Sequence, residues 1–211
     1  IAVDGRALSV DSQTPVYLAI NKPKGVISSV GDPRGRRTVI DLIPSQFRVN
    51  GLVPAGRLDF NSTGLMILTN DGALVDGITH PRYQVQKEYL VTISRPLDAG
   101  ELRKLQGGIS IEGGVARALR VERTTRRGVC EYAITLVEGK KREIRLMLAS
   151  LGVKTESLCR IRIGNLTLDE LGLGKCRSIR PADIRALRDL MTSKSGLHRA
   201  GRVSTFNRGN R

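Results

Sequence analysis

The stretch GRLDFNSTGLMILTNDG, residues 56–72, organises the whole 211-residue chain. The apolar run 51–54 leads into a polar loop containing Asp59, and Gly64 then opens a second apolar run, LMIL. Short apolar runs bounded by turn residues are typical of buried strands. A carboxylate on a short loop between two such strands is held by a rigid scaffold, which catalysis needs. Asp59 is therefore a candidate catalytic residue; the alternative is a turn aspartate that bonds its own backbone.

Outward from this stretch, short apolar runs alternate with helices that carry their own start and stop signals. Asp98 and Glu101 form a capping-box pattern at the start of DAGELRKLQ, and two glycines follow it. The segment 140–152 places apolar residues on one helical face, and so does PADIRALRDLM at 181–191. Strands interleaved with helices predict an α+β or α/β domain.

The composition divides the chain into three parts. Residues 1–14 predict a strand, a turn and a polar linker, which we interpret as a linker or the end of an upstream domain. Residues 15–192 predict one folded domain that is large enough to hold a catalytic site. Residues 193–211 are rich in Ser, Gly, Arg and Asn with little to bury, which predicts a basic flexible tail.

The charge of the chain favours a polyanionic partner. Lys and Arg number 35 against 20 Asp and Glu, a net charge of +15, and +10 remains when the five basic residues of the tail are left out. A basic excess of this size in a soluble chain most often serves nucleic acid. No stretch approaches the roughly 20 apolar residues of a membrane span, so we expect no membrane partner.

Metal and disulfide chemistry find little support in the sequence. Cys130, Cys159 and Cys176 are far apart with no CxxC pair, and His80 and His198 are the only histidines. A structural zinc needs more ligands at closer spacing. We therefore expect no metal, no cofactor and a reducing compartment. For His80, which precedes Pro81, we expect a capping or packing role.

The string 56–70 resembles the signature of the ribosomal pseudouridine synthases of the RsuA and RluB type. That signature is Gly-Arg-Leu-Asp, two variable residues, Ser or Thr, one more, Gly, four apolar residues, Thr and a polar residue, and every position is met. Three further strings lie in the family's order: NKPKG at 21–25, KEYLV at 87–91 and GKKREIR at 139–145. The resemblance covers roughly residues 16–190.

This resemblance implies an α+β fold with a mixed, largely antiparallel sheet flanked by helices, and an enzyme that isomerises uridine to pseudouridine in ribosomal RNA. Asp59 would be the catalytic aspartate, as nucleophile or base, Tyr89 would stack on the flipped uracil, and Arg145 would pair with the aspartate. No cofactor is implied. The residues expected to contact RNA are Asn21, Lys22, Arg57, Thr63, Lys87, Lys140, Lys141 and Arg142.

Taken alone, several of these residues have other interpretations. Arg145 follows core-facing Ile144 and could be a solvated flank residue, and Tyr89 could simply pack in the core. The sequence also departs from the commonest family text, with Glu143 where Gln is frequent and Leu146 where a second Arg is common. Neither departure touches the three candidate catalytic residues.

The partner expected from the resemblance is ribosomal RNA or a pre-ribosomal particle, with large-subunit RNA favoured. We expect a monomer in the cytoplasm, or in an organelle matrix or stroma if a transit peptide was removed. Family members usually carry an upstream RNA-binding domain of the S4 type, and IAVDGRALS resembles its final strand and linker. The rival function is a non-catalytic RNA-binding ribosome-assembly factor with the same fold.

Overall fold

The computed structural model describes residues 2–3, 6–7, 14–124 and 129–200, the first two pairs and 193–200 by their backbone only. The helices are α1 Gly72–Thr79, α2 Ala99–Gly107, α3 Glu143–Ala149 and α4 Pro181–Ala200. Single turns of 3₁₀ helix lie at Ile40–Leu42, Ser45–Phe47 and Pro81–Tyr83. The strands are β1 Ala2–Val3, β2 Arg6–Ala7, β3 Tyr17–Lys22, β4 Val53–Pro54, β5 Thr63–Thr69, β6 Lys87–Ile93, β7 Ile109–Ile111, β8 Gly114–Ala116, β9 Arg120–Arg123, β10 Glu131–Leu136, β11 Thr155–Ile163, β12 Leu166–Thr167 and β13 Cys176–Ser178.

Nine of these strands form one mixed sheet. Its order is β13-β3-β5-β11-β6-β10-β9, with β4 paired to β5 and β12 paired to β11. Among the described strands, β5 and β11 form the only parallel pair, and every other pairing is antiparallel. The expected α+β fold with a largely antiparallel sheet is confirmed.

The central strand β5 is buried on both faces. Leu65 and Ile67 belong to one apolar cluster, and Met66 and Leu68 belong to the cluster on the other face; none of the four is exposed. A strand covered on both sides has no polar positions to alternate, so its sequence is a continuous apolar run. The LMIL run that follows the candidate loop is therefore the middle of the sheet.

The two faces of the sheet are covered by helices with the predicted patterns. Helix α3 contributes Ile144, Met147 and Leu148 to one cluster, and α4 contributes three apolar residues to the other, namely Ile184, Leu187 and Met191. The capping box of α2 is confirmed: the Asp98 side chain accepts the Glu101 N–H, and the Glu101 side chain accepts the Asp98 N–H.

The two ends of the chain are described only in part. Helix α4 continues to Ala200, into the segment predicted as a flexible tail, because helix growth from an already packed turn is easier than nucleation. The predicted tail beyond residue 200 lies outside the described residues. At the other end, β1 and β2 pair with each other, and most of the predicted linker, 8–13, is not described. None of the described helices combines the length and apolarity that crossing a membrane would require.

Candidate active site

The loop before β5 presents Asp59 on a turn fixed from both sides. The Ser62 N–H donates to the Asp59 carbonyl at 3.0 Å, which closes the turn. On the other side the Ser28 hydroxyl donates to the Leu58 carbonyl at 2.8 Å and accepts the Leu58 N–H at 3.1 Å. The backbone on which Asp59 sits is therefore held by groups outside the loop.

Gly64 sets the distance between this loop and its neighbouring strand. Its φ is +110°, and a Cβ placed there would lie 2.2 Å from the Arg160 carbonyl oxygen. Gly64 pairs with Arg160 where β5 begins to run beside β11. Since no other residue tolerates both that backbone angle and that contact, the glycine of the signature allows the loop to dock on β11.

Two buried cations support the loop from below. Lys22 is 0 % exposed, and its ammonium donates at 2.9 Å to the carbonyls of Ser62 and of Pro23. Arg160 is also buried and donates from Nε to the Leu65 carbonyl at 2.8 Å. Burial lowers the pKa of Lys22 to about 8, although the nearby charge of Asp59 favours the ammonium form.

Arg145, on α3, is the counter-ion of the candidate carboxylate. Its Nε lies 3.9 Å from Asp59 Oδ2, and its Nη2 lies 3.4 Å from the Ser62 hydroxyl. The arginine side chain is 16 % exposed, so it is not a solvated flank residue. Burial lowers the pKa of Arg145 below its usual value, while the charge of Asp59 raises it. The arginine thus orients a carboxylate that is partly exposed at the protein surface.

A cavity of about 470 Å³ opens beside this pair. That volume lies in the range of small-molecule sites, and the lining carries six basic residues against two acidic ones. Its walls come from the candidate loop, from β6, from β11 and from the turn that leads into α3. The lining residues are Gly56, Arg57, Leu58, Asp59, Ser62, Thr79, Lys87, Tyr89, Leu136, Gly139, Lys140, Lys141, Arg142, Glu143, Ile144, Leu158 and Arg160.

Most of the residues expected at the site meet at this cavity. Asp59 and Tyr89 line it and Arg145 stands beside Asp59; Lys87 lines it together with the expected RNA contacts Arg57, Lys140, Lys141 and Arg142.

Asn21, Lys22 and Thr63 do not line the cavity. Asn21 is buried, and its side-chain amide donates to the Leu171 carbonyl at 2.7 Å. Lys22 is enclosed below the loop, and the Thr63 hydroxyl lies 3.5 Å from the Leu158 carbonyl. These positions give no support to a direct RNA contact by these three residues. They instead join the signature segments to the rest of the fold.

Sequence reasoning missed Arg160 and understated Glu143. Arg160 lines the cavity floor, and its Nη2 is buried with no partner among the described residues. Glu143 is 3 % exposed, and one of its carboxylate oxygens accepts the Lys140 N–H at 3.0 Å. Burial raises the pKa of the Glu143 carboxyl. An alternating strand pattern with a charged residue at an inward position was the available signal for Arg160.

Among the described residues no three His, Cys, Asp or Glu side chains gather into a possible metal site. His80 has the capping role predicted for it, since its Nδ1 accepts the Arg82 N–H at 3.2 Å. The chemistry that this site offers is therefore that of one carboxylate held against one guanidinium, at the edge of a basic cavity containing one tyrosine.

The fold places a carboxylate–guanidinium pair at a basic cavity that also contains a tyrosine, and comparison with known proteins identifies the family. The family model described as RNA pseudouridylate synthase matches residues 16–150. The chain is 32% identical over 196 residues to ribosomal large subunit pseudouridine synthase B of Bacillus subtilis, covering 89% of this chain and 78% of that protein. It is 34% identical over 196 residues to the protein of the same name from Vibrio vulnificus, covering 90% of this chain and 61% of that one. The chain belongs to the RNA pseudouridylate synthase family.

Solved structures agree with this assignment. A crystal structure of a pseudouridylate synthase matches with a TM-score of 0.74 and 31% identity, over 82% of this chain and 74% of that one. A chain from an H/ACA ribonucleoprotein bound to a substrate RNA matches with a TM-score of 0.53 at 16% identity, over 74% of this chain and 49% of that one. The second match shows a shared fold only.

Proposed function

We propose that this protein isomerises a uridine of large-subunit ribosomal RNA to pseudouridine, with Asp59 as its catalytic carboxylate. One observation carries the proposal: Asp59 and Tyr89 line the same basic cavity, and Arg145 lies 3.9 Å from the aspartate. Family membership supplies the reaction, and the names of the Bacillus and Vibrio relatives supply the RNA.

The site residues divide the reaction between them. Tyr89 stacks on a uracil that has left the RNA helix, because a flipped base requires an aromatic face inside a cavity. Asp59 then either attacks the sugar C1′ or removes the proton from C2′. Arg145 orients the carboxylate and balances its charge, since its guanidinium lies 3.9 Å from Asp59 Oδ2.

The basic rim would hold the RNA backbone. Arg57, Lys140, Lys141 and Arg142 lie at the cavity on two loops. Contacts of loop lysines and arginines with phosphates position an RNA without reading its sequence. Selection of one uridine therefore falls to RNA shape and to parts of the surface beyond these four residues.

The proposal also covers the RNA substrate of the whole protein, its oligomeric state and its cellular location. The chain spans 78% and 61% of the length of the two named relatives. All three candidate catalytic residues come from one chain, which supports a monomer. The relatives are bacterial enzymes of ribosomal RNA, which supports action in the cytoplasm.

The test is Asp59→Asn in cells that lack the protein. Pseudouridines of ribosomal RNA are mapped in the deletion strain, and then after complementation with the wild type or with the variant. We expect one site or a few to disappear, and to return with the wild type only. Restoration by Asp59→Asn would refute the catalytic role, and an unchanged map in the deletion strain would favour the rival, a non-catalytic ribosome-assembly factor.

The RNA affinity of Asp59→Asn separates catalysis from binding. The substitution removes one negative charge from a basic cleft and leaves the shape of the cavity almost unchanged, so binding should be equal to that of the wild type or slightly tighter. A loss of binding that parallels the loss of modification would mean that Asp59 is needed for the structure of the loop rather than for chemistry.

A further inference from the structure

Lys87 lies on the same face of β6 as the tyrosine proposed to stack on uracil. The strand alternates between inward and outward residues, and the inward ones are Lys87, Tyr89, Val91 and Ile93. Both Lys87 and Tyr89 line the cavity, and Lys87 is 8 % exposed. Successive inward residues of a strand are neighbours on one face. Lys87 therefore lies next to Tyr89 on the inward face of β6, among the buried residues of the cavity lining.

The ammonium has donors to spare. A lysine ammonium carries three N–H groups. Within the part of the chain that the structure describes, its one hydrogen bond is to the Val85 carbonyl, at 3.1 Å. Two N–H groups therefore remain for a ligand in the cavity. A lysine needed only to anchor the backbone would not have to line the cavity at all.

The charges around Lys87 make the cavity floor a place for an anion. Arg160 pairs with Tyr89 across β11 and β6, so its guanidinium belongs to the same floor. Burial lowers the pKa of Lys87 to about 8, with a further lowering by the charge of Arg160 and an opposing effect of Glu143. A buried ammonium with a cationic neighbour and only part of its hydrogen-bonding capacity used gains much from a negative charge placed beside it.

We propose that Lys87 stabilises the negative charge that develops on uracil when its bond to the sugar breaks. The inference rests on the proposed function. The C1′–N1 bond breaks and its electron pair leaves with uracil, while Asp59 donates a pair to C1′ or takes the C2′ proton. After the base turns, C5 bonds to C1′ as the Asp59–C1′ bond breaks or, in the other route, as C2′ takes its proton back from Asp59. The C5 proton is then lost to a base, and N1 takes up a proton.

The negative charge of this departing base is spread over its ring nitrogens and its two carbonyl oxygens. Donors fixed beforehand where charge develops are the most effective kind of electrostatic catalysis, because they need no reorganisation during the reaction. Lys87 meets that condition, since it is almost fully buried and lines the cavity. A phosphate contact would instead call for an exposed lysine such as Lys141.

The experiment compares Lys87→Met with Lys141→Met in the full chain. Each variant is mixed in excess with ribosomal RNA carrying tritium at C5 of uridine, and single-turnover release of tritium is followed at several enzyme concentrations. For Lys87→Met we expect a maximal rate lowered about 100-fold or more, with the half-saturating concentration almost unchanged. For Lys141→Met, a residue of the RNA-holding rim, we expect the larger loss in binding, seen as a higher half-saturating concentration.

The dependence on pH identifies the charge. The charged groups facing Lys87 are Arg160 on β11 and Glu143 on α3, with Asp59 across the cavity. Because the ammonium form is the active one, kcat/KM of the wild type should fall about tenfold per unit above pH 8. Lys87→Arg keeps its charge at that pH, so its kcat/KM should stay level to about pH 9.5.

Three results would overturn the role of Lys87. The first is an unchanged maximal rate in Lys87→Met, and the second is a loss in that variant that lies only in its binding of RNA. The third is a fall of kcat/KM above pH 8 that persists in Lys87→Arg, because that fall would then belong to another group such as Lys22. Should Lys87→Met fail to fold, the profile of Lys87→Arg decides. A wild type that releases no tritium from any ribosomal RNA would instead refute the proposed function itself.

Discussion

Replacing Gly64 by alanine should force apart β5 and β11 at the point where the loop carrying Asp59 enters β5. The added Cβ would lie 2.2 Å from the carbonyl oxygen and 2.5 Å from the nitrogen of Arg160, both backbone atoms of a strand paired on each side. No side chain can rotate away to make room. The backbone angle, φ +110°, is a second cost, because residues with a Cβ rarely adopt it.

The two costs set the expected magnitude. Strained backbone costs roughly 1–3 kcal/mol, and overpacking a tight contact roughly 1–3 kcal/mol more. We expect a loss of about 4 kcal/mol in the free energy of unfolding, measured by urea denaturation. For a chain of this length each kcal/mol corresponds to roughly 2–4 °C in Tm, so the Tm should fall by about 10 °C.

Gly72→Ala is the matched control. Gly72 is the first residue of α1, has an ordinary φ, and a Cβ there would meet nothing within 4 Å. Alanine at such a position is neutral or stabilising by about 0.4–1 kcal/mol. If Gly64→Ala proves as stable as Gly72→Ala, then a glycine at position 64 is not needed for the close approach of β5 and β11.

Three further predictions concern separate parts of the molecule. Asp71→Ala should cost about 1–2 kcal/mol in thermal unfolding, because Asp71 caps α1 by accepting the N–H groups of Ala73 and Leu74. Glu143→Gln should stabilise the fold in urea at pH 7 and not at pH 4, because a raised carboxyl pKa means stability is lost as pH rises and the buried group ionises; an equal gain at both pH values would contradict this. Affinity for ribosomal RNA should fall steeply with salt, and Lys141→Met should reduce the slope of log affinity against log salt by about 1.

Local features of the fold were readable from the sequence where they depend on neighbouring residues. The capping box of Asp98 and Glu101 marked the start of α2, and the LMIL run marked a strand buried on both faces. The family signature then indicated Asp59. The burial of Lys22 was not readable, because lysine is among the most exposed residue types and its enclosure depends on strands distant in sequence.

The site itself depends on the order of strands in the sheet, which no local pattern encodes. Asp59 precedes β5 and Tyr89 lies on β6, and these two strands do not touch: β11, from much later in the chain, separates them. Arg160 stands on β11 between them, opposite Gly64 on one side and Tyr89 on the other. Arg160 therefore has two roles: it contacts the end of the loop that carries Asp59, and it lines the cavity. For that reason we expect changes at Arg160 to affect stability and catalysis together, whereas Asp59→Asn should affect catalysis alone.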